Sequence, residues 1–80
     1  MTYINERYIF KYKNVSATLF IYDGILRSVS IYSSDNSVSI YVDEDADSEI
    51  FNAVLDIVKK IARKAEKVYH ELEYKTHEVW

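Results

Sequence analysis

The sequence predicts an α+β fold, in which a four-stranded antiparallel β-meander precedes one long C-terminal helix packed on one face of the sheet (ββββα). Apolar residues alternate with period two in the first half of the chain and recur every three or four residues in the second half. The joints between the alternating segments are short, which favours hairpins between neighbouring strands. The chain has 80 residues, so we expect a single domain, 1–80.

Composition excludes several classes of protein. The chain is 49% hydrophobic, which argues against intrinsic disorder. It has no cysteine, and this excludes a disulfide scaffold or a thiolate metal site. No apolar run approaches the roughly 20 residues that a membrane-spanning helix needs, and no signal segment opens the chain. We therefore expect a cytoplasmic protein with no membrane partner.

Four strands are predicted, and they are rich in the β-branched and aromatic residues that suit a pleated surface. They cover residues 7–12, 15–22, 25–32 and 37–42. The first joint is a two-residue turn that pairs Phe10 with Ala17. The third is a four-residue loop that pairs Val29 with Ile40.

Two registers compete at the second joint. A two-residue turn, 23–24, would place Arg27 opposite an aromatic side chain and mix polar and apolar residues on both faces. A three-residue loop, 22–24, places Ile21 opposite Ile25 and keeps each face uniform, so we predict the longer loop. The chain's one glycine then lies where a positive φ is needed.

The predicted register gives the sheet one apolar face, which we expect the helix to cover. Its members are Tyr8, Phe10, Tyr12, Val15, Ala17, Leu19, Ile21, Ile25, Val29, Ile31, Val38, Ile40 and Val42. Arg27 falls on the same face, and the register offers no account of this charge beyond an extended side chain reaching an edge.

The helix is predicted over residues 48–74, with Asp47 or the residue after it as the N-cap. At 1.5 Å per residue it spans about 40 Å, more than the roughly 26 Å of an eight-residue strand. The apolar positions Val68, Tyr69 and Leu72 would then extend past the sheet. We expect them to pack against a second copy of the chain; the alternative is a diagonal crossing of the sheet or a bend of the helix near its C-terminus, which needs no partner.

The sequence contains no residue set typical of catalysis. There is no cysteine nucleophile, and a single glycine excludes a phosphate-binding glycine-rich loop. We therefore predict a protein that is not an enzyme and that needs no cofactor. One stripe of the predicted helix, which we interpret as its solvated end rather than a metal site, combines Glu66, His70, Glu73 and His77.

The second face of the predicted sheet is unusual for its small hydroxyl residues, its aromatic residues and its near lack of charge. The contact residues that we predict there are Phe20, Leu26, Ser28, Ser30, Tyr32, Ser39 and Tyr41. Tyrosine beside serine is the mixture found in adaptable binding surfaces. A plain solvent-facing sheet is the alternative, and the sequence leaves both interpretations open.

Five carboxylates in seven residues follow the last predicted strand, at Asp43, Glu44, Asp45, Asp47 and Glu49. Structurally, such a run is a capped helix start with acids near the positive end of the helix dipole. Functionally, closely spaced carboxylates can replace phosphates in the basic channel of a protein that binds nucleic acid.

In size, acidity, tyrosine content and layout the chain resembles small phage- or plasmid-encoded inhibitors of the anti-CRISPR type. The run Asp43, Glu44, Asp45, Asp47 and Glu49 resembles their nucleic-acid-mimicking patches. The resemblance implies a non-catalytic inhibitor that binds a host defence protein, one that handles nucleic acid, without binding nucleic acid itself. The alternative is a self-associating homodimeric module with no inhibitory role.

Overall fold

The structure, a computed structural model, describes residues 2–76 as a five-stranded antiparallel sheet with one helix packed on one face. The elements are β1 (Thr2–Tyr12), β2 (Val15–Tyr22), β3 (Ile25–Ser33), β4 (Ser39–Asp43), α1 (Ser48–Lys64) and β5 (Lys67–Thr76). The strand order across the sheet is β4-β3-β2-β1-β5. The α+β class and the antiparallel sheet are confirmed. The prediction of four strands and a C-terminal helix is wrong, because α1 lies between β4 and a fifth strand.

The helix ends at Lys64, well before the predicted end. Ala65 leaves the helical region with φ −57° and ψ 131°. The Glu66 amide then donates to the Lys11 carbonyl at 2.8 Å, which brings Lys67 opposite Lys11 at the start of the β1–β5 ladder. The ladder bonds the backbone groups of alternate residues of β5 to β1, and this tertiary pairing overrides a local pattern that also fits a helix.

The β1–β2 register is confirmed, since Phe10 lies opposite Ala17. The β3–β4 register differs from the prediction by two residues, because Val29 lies opposite Val42 and not Ile40. A shift of two keeps every side chain on its predicted face, so the apolar side of β4 is unchanged.

Hydrogen bonds within the β3–β4 loop stabilise this connection, which spans residues 34–38. The Asp35 carboxylate accepts from the hydroxyls of Ser33 and Ser37, each at 2.7 Å, and from the Ser37 amide at 3.0 Å. The Ser33 hydroxyl oxygen in turn accepts from the Val38 amide at 3.0 Å. Asn36 takes a positive φ of 60°, a conformation that asparagine tolerates better than most residues.

The predicted three-residue loop between β2 and β3 is wrong. Asp23 and Gly24 form a two-residue turn with φ values of 51° and 79°, and Tyr22 lies opposite Ile25. Two positive φ values in succession are typical of the tight turns that match the twist of a hairpin.

A β-bulge corrects the polarity conflict that argued against the short turn. Ile21 lies opposite Leu26, whereas Phe20 lies opposite Ser28, so Arg27 is the extra residue. Leu26 therefore turns to the helix side and packs against the core. Its predicted place among the contact residues of the other face is wrong, and the bulge also removes Arg27 from the regular apolar alternation.

The core lies between α1 and strands β1–β4. Its buried members are Ala17, Val29, Ile31, Val54 and Val58. The first turns of α1 lie near Leu26, because Leu26 and Phe51 line the same hollow. At the other end, the Lys64 ammonium is 6.0 Å from the centre of the Tyr12 ring. The helix therefore crosses the sheet diagonally from the β3 side to β1 and leaves one sheet face open.

Candidate protein-binding surfaces

We call the sheet face opposite α1 the open face, and three rows of side chains cross it. The first row is Lys67, Lys11, Ser16, Tyr32 and Ser39; the second is Tyr69, Ile9, Thr18, Ser30 and Tyr41; the third is Glu71, Arg7, Phe20, Ser28 and Asp43. Within residues 2–76 no second helix lies on this side. All the contact residues predicted from the sequence lie on it except Leu26.

The hydroxyl groups at the centre of the open face are sheltered. Thr18 is only 4% exposed and Ser28 only 6%. Since α1 lies on the other side, the shelter comes from the larger side chains beside them. Tyr41, by contrast, is 62% exposed at the β4 edge. The face thus combines a small polar centre with an exposed aromatic ring at its rim.

The fifth strand adds charged residues to the open face, and the four-strand prediction did not include them. Arg7 forms an ion pair with Glu71, and this hydrogen bond and charge raise the pKa of the Arg7 guanidinium. The Lys11 ammonium lies 5.6 Å from the centre of the Tyr69 ring. Sequence reasoning missed Lys67, Tyr69 and Glu71 on this face, although polar and apolar residues do alternate with period two over residues 71–75.

A groove of about 280 Å³ opens where the third row meets the bulge. Two guanidinium groups, of Arg7 and Arg27, contribute to its lining. Each is paired with a carboxylate, Arg7 with Glu71 and Arg27 with Glu44. The groove therefore has a balanced polar surface rather than the unpaired positive charge typical of an anion site.

The acidic loop, residues 43–49, is partly committed to local structure. The Asp47 carboxylate caps α1, since it accepts from the amides of Glu49 at 2.9 Å and Ile50 at 3.4 Å. The Asp43 carboxylate accepts from the Asp45 amide at 2.9 Å. These contacts give two of the predicted site residues a structural role.

The other three acids of the loop have exposed side chains. Glu44 pairs with Arg27 and so ties the loop to the bulge of β3. Asp45 and Glu49 are exposed at the start of the helix. Because Asp43 also ends the third row, the acidic loop continues directly from the open face.

The predicted self-association residues lie in β5, so the expectation that they form a helical stripe is wrong. Val68 and Leu72 point to the helix side and are 56% and 50% exposed, whereas Tyr69 points to the open face. On the helix side, the His70 ring stacks on Tyr8.

The helical stripe of acidic and histidine residues that was weighed as a metal site is absent, because residues 67–76 form a strand. His70 and Glu73 point to opposite faces of β5, and His77 lies outside the described residues. Within residues 2–76, no three His, Cys, Asp or Glu side chains come together as a metal site would need.

The chain matches no protein-family model, no curated protein and no solved structure. The part of the chain that the structure describes contains no helix long and apolar enough to cross a membrane.

Proposed function

We propose that the protein is a non-catalytic protein-binding module and that the open face is its binding site. The middle row of the face carries the proposal: Thr18 and Ser30 lie between Tyr41 at one edge and Tyr69 at the other. Tyrosine supplies a large contact area with few rotatable bonds, and small hydroxyl residues allow close approach and adaptable hydrogen bonding.

The distribution of charge supports a contact surface over a plain solvent-facing sheet. Solvent-facing sheets carry interspersed charged residues, since charge keeps them hydrated. On the open face the charges lie on β1 and β5, toward one side of the sheet, and at Asp43 on the opposite edge strand, whereas Ser16, Thr18 and Ser30 lie on β2 and β3. A charge-depleted centre with a polar rim is the usual layout of a protein interface.

The partner that we propose is a host defence protein that handles nucleic acid, and the role is that of a stoichiometric inhibitor of the anti-CRISPR type in the host cytoplasm. The acidic loop supports this choice because it continues from the third row of the open face. Asp45 and Glu49 add exposed negative charge in the loop and helix start that follow Asp43 in the chain. A partner with a basic channel would contact the face and the loop together, and the charges would speed its association.

The test is capture of partners from the natural host by three forms of the protein: wild type, Ser30→Arg and Ser34→Arg. Ser30 lies at the centre of the open face, and Ser34 is exposed in the β3–β4 loop. Both substitutions add the same charge and volume. We expect wild type and Ser34→Arg to retain a nucleic-acid-handling protein in a fixed ratio and Ser30→Arg to lose it. Equal retention by all three forms, with unchanged melting curves, would exclude the open face.

The captured species also decides between the inhibitor and the homodimeric module. If wild type retains only further copies of itself, the inhibitory role is wrong and the self-associating alternative stands. For an identified partner, Tyr41→Ala should weaken binding by about 1–3 kcal/mol, because tyrosine side chains are enriched among the residues that carry most of the energy of an interface.

A further inference from the structure

Within residues 2–76 the outer edge of β5 pairs with no other strand, and it is long. β5 runs for ten residues at one side of the sheet, whereas the strand at the other side, β4, has five. Proteins commonly protect long edges with proline, with a bulge or with charged side chains. The chain has no proline and β5 pairs with β1 without a register shift, so charged residues such as Lys67 and Glu73 are the protection of this edge, and they repel only a strand that places like charges opposite them. This edge therefore offers hydrogen-bonding groups to another strand.

The hydrogen bonds at the start of β5 show which groups face outward. The Lys11 carbonyl points to β5, because it accepts from the Glu66 amide. In an antiparallel ladder successive residues alternate between the two sides. The amides and carbonyls of Val68, His70 and Leu72 therefore point away from β1, toward the free edge.

We infer that a second copy of the chain pairs with this edge, antiparallel, about a two-fold axis at His70. In that register Val68 lies opposite Leu72 of the second copy on the helix side. Lys67 lies opposite Glu73 of the second copy on the open face. Both pairs occur twice because of the symmetry. The outward groups of Val68, His70 and Leu72 then form the hydrogen-bonded positions of the new ladder.

Charge selects this register over its neighbours. An axis at Glu71 would place that carboxylate opposite its own copy, and an axis at Leu72 would place Glu71 opposite Glu73. Like charges directly opposite each other destabilise a sheet. An axis at Tyr69 would place Lys67 opposite Glu71, but it would separate Val68 from Leu72 and place Leu72 opposite Glu66. Among these four registers, the one centred on His70 alone places Val68 opposite Leu72 while it also matches opposite charges.

Apolar exposure supports the same pairing. Val68 and Leu72 each leave about half of their surface in solvent on the helix side. In the dimer, Val68 of each copy would lie beside Leu72 of the other copy, so the pairing removes this apolar surface from water.

The symmetry has a consequence for binding that goes beyond the proposed function. A two-fold axis perpendicular to the sheet places both α1 helices on one side and both open faces on the other. The dimer is then a ten-stranded sheet with a continuous double binding surface. Such a dimer would bind a repetitive or dimeric partner more tightly than one copy does, through effective concentration.

Sedimentation equilibrium with charge-swap variants tests the pairing. Lys67→Glu and Glu73→Lys each create two like-charge pairs in the dimer, and we expect each to raise the dimer dissociation constant about tenfold. The double variant restores opposite charges and should return the constant close to wild type. Lys59→Glu, on the exposed side of α1, is the matched control and should change little. A monomeric wild type at all concentrations, or a double variant as weak as the singles, would overturn the inference.

Single cysteines report the register itself, since the natural chain has none. Under mild oxidation, His70→Cys should form a disulfide-linked dimer because the two copies of this residue face each other within bonding distance. Leu72→Cys and Tyr74→Cys should remain unlinked. Linkage of Leu72→Cys in place of His70→Cys would exclude the axis at His70. If Glu73→Lys is monomeric and still binds the partner, the open face functions independently of the dimer.

Discussion

Tyr8 of β1 stacks on His70 of β5, with the ring centres 4.1 Å apart and the planes nearly parallel at 5°. The two residues lie directly opposite each other in the ladder. The His70 ring nitrogen Nε2 also lies 2.9 Å from a carboxylate oxygen of Glu6. This cluster joins the C-terminal strand to the sheet on the helix side.

Replacing Tyr8 by leucine should lower the free energy of unfolding by about 0.5–1.5 kcal/mol, because the stack with His70 is lost while most apolar bulk remains. Tyr8→Phe keeps the ring and is the matched control. Urea denaturation of dilute protein measures both. Equal stability of the leucine and phenylalanine variants would show that the stacked geometry contributes nothing.

The turn between β1 and β2 contains a residue in an unfavourable conformation. Lys13 has a φ of 52°, where a side chain costs about 1–2 kcal/mol. Glycine removes this strain, although its extra freedom in the unfolded chain costs about 0.4–1 kcal/mol. Lys13→Gly should therefore raise the free energy of unfolding by about 0.5 kcal/mol in thermal or urea unfolding. Gly24→Ala, at a φ of 79°, should do the reverse, and a stabilised Gly24→Ala would contradict this account of the turns.

The Asp35 carboxylate should make the free energy of unfolding depend on pH in the acidic range. Hydrogen bonds from the Ser33 hydroxyl, and then from Ser37, lower the pKa of Asp35 from 3.8 to about 2. Because the pKa is lower in the folded state, the carboxylate stabilises the fold above its ordinary pKa. That contribution is lost as the pH falls through about 2. An NMR titration of the carboxyl carbon should show the low midpoint.

Asp35→Asn tests the same linkage by unfolding. The variant should be less stable than wild type at neutral pH, and the difference should shrink as the pH falls toward 2. Asp56→Asn, on an exposed position of α1, is the control and should show no such trend. A difference between Asp35→Asn and wild type that stays constant with pH would contradict the role of the charge.

Residues 67–76 show why the sequence predicted only part of the fold. Val68 and Leu72 are four residues apart, a spacing that places them on one face of a helix and equally on one face of a strand. The alternating Lys67, Glu71 and Glu73 favour a strand, but glutamate, lysine and leucine are also good helix formers. Pairing with β1 makes these residues a strand. A contact between residues so far apart in the sequence cannot be recognised from local spacing.

The sequence predicts the residues of the open face better than it predicts the turns that connect the strands. Period-two alternation alone placed Ser30 and Tyr41 together, because a register shift of two residues leaves faces unchanged. Arg27 did signal the bulge, since a charge on an otherwise apolar face marks a conflict in the assumed register. A long side chain that reaches an edge explains the same charge without a bulge, and that interpretation places Leu26 on the wrong face.

Among the acids of the loop, Asp47 has a structural role as the N-cap of α1. Asp47→Ala should lower the free energy of unfolding by about 1 kcal/mol, because two amide groups at the start of α1 lose their acceptor. Asp47→Ser retains a capping oxygen and should recover most of the loss. Thermal unfolding followed by circular dichroism measures both. An alanine variant as stable as wild type would show that solvent satisfies these amides equally well.

Neutralising the exposed acids should affect association, whereas the free energy of unfolding should fall by only about 0.5 kcal/mol, because Glu49 lies in the first turn of α1. Asp45 and Glu49 have exposed side chains, whereas Asp43 and Asp47 accept backbone hydrogen bonds and Glu44 pairs with Arg27. The variant Asp45→Asn/Glu49→Gln therefore removes two charges with little loss of structure. With a captured partner that has a basic channel, its association rate should fall and depend less on salt, because long-range attraction steers the encounter. Stopped-flow binding over a range of salt concentrations measures this. The same rate and salt dependence as wild type would show that the acidic loop serves the helix start alone, and the open face would then be the whole interface.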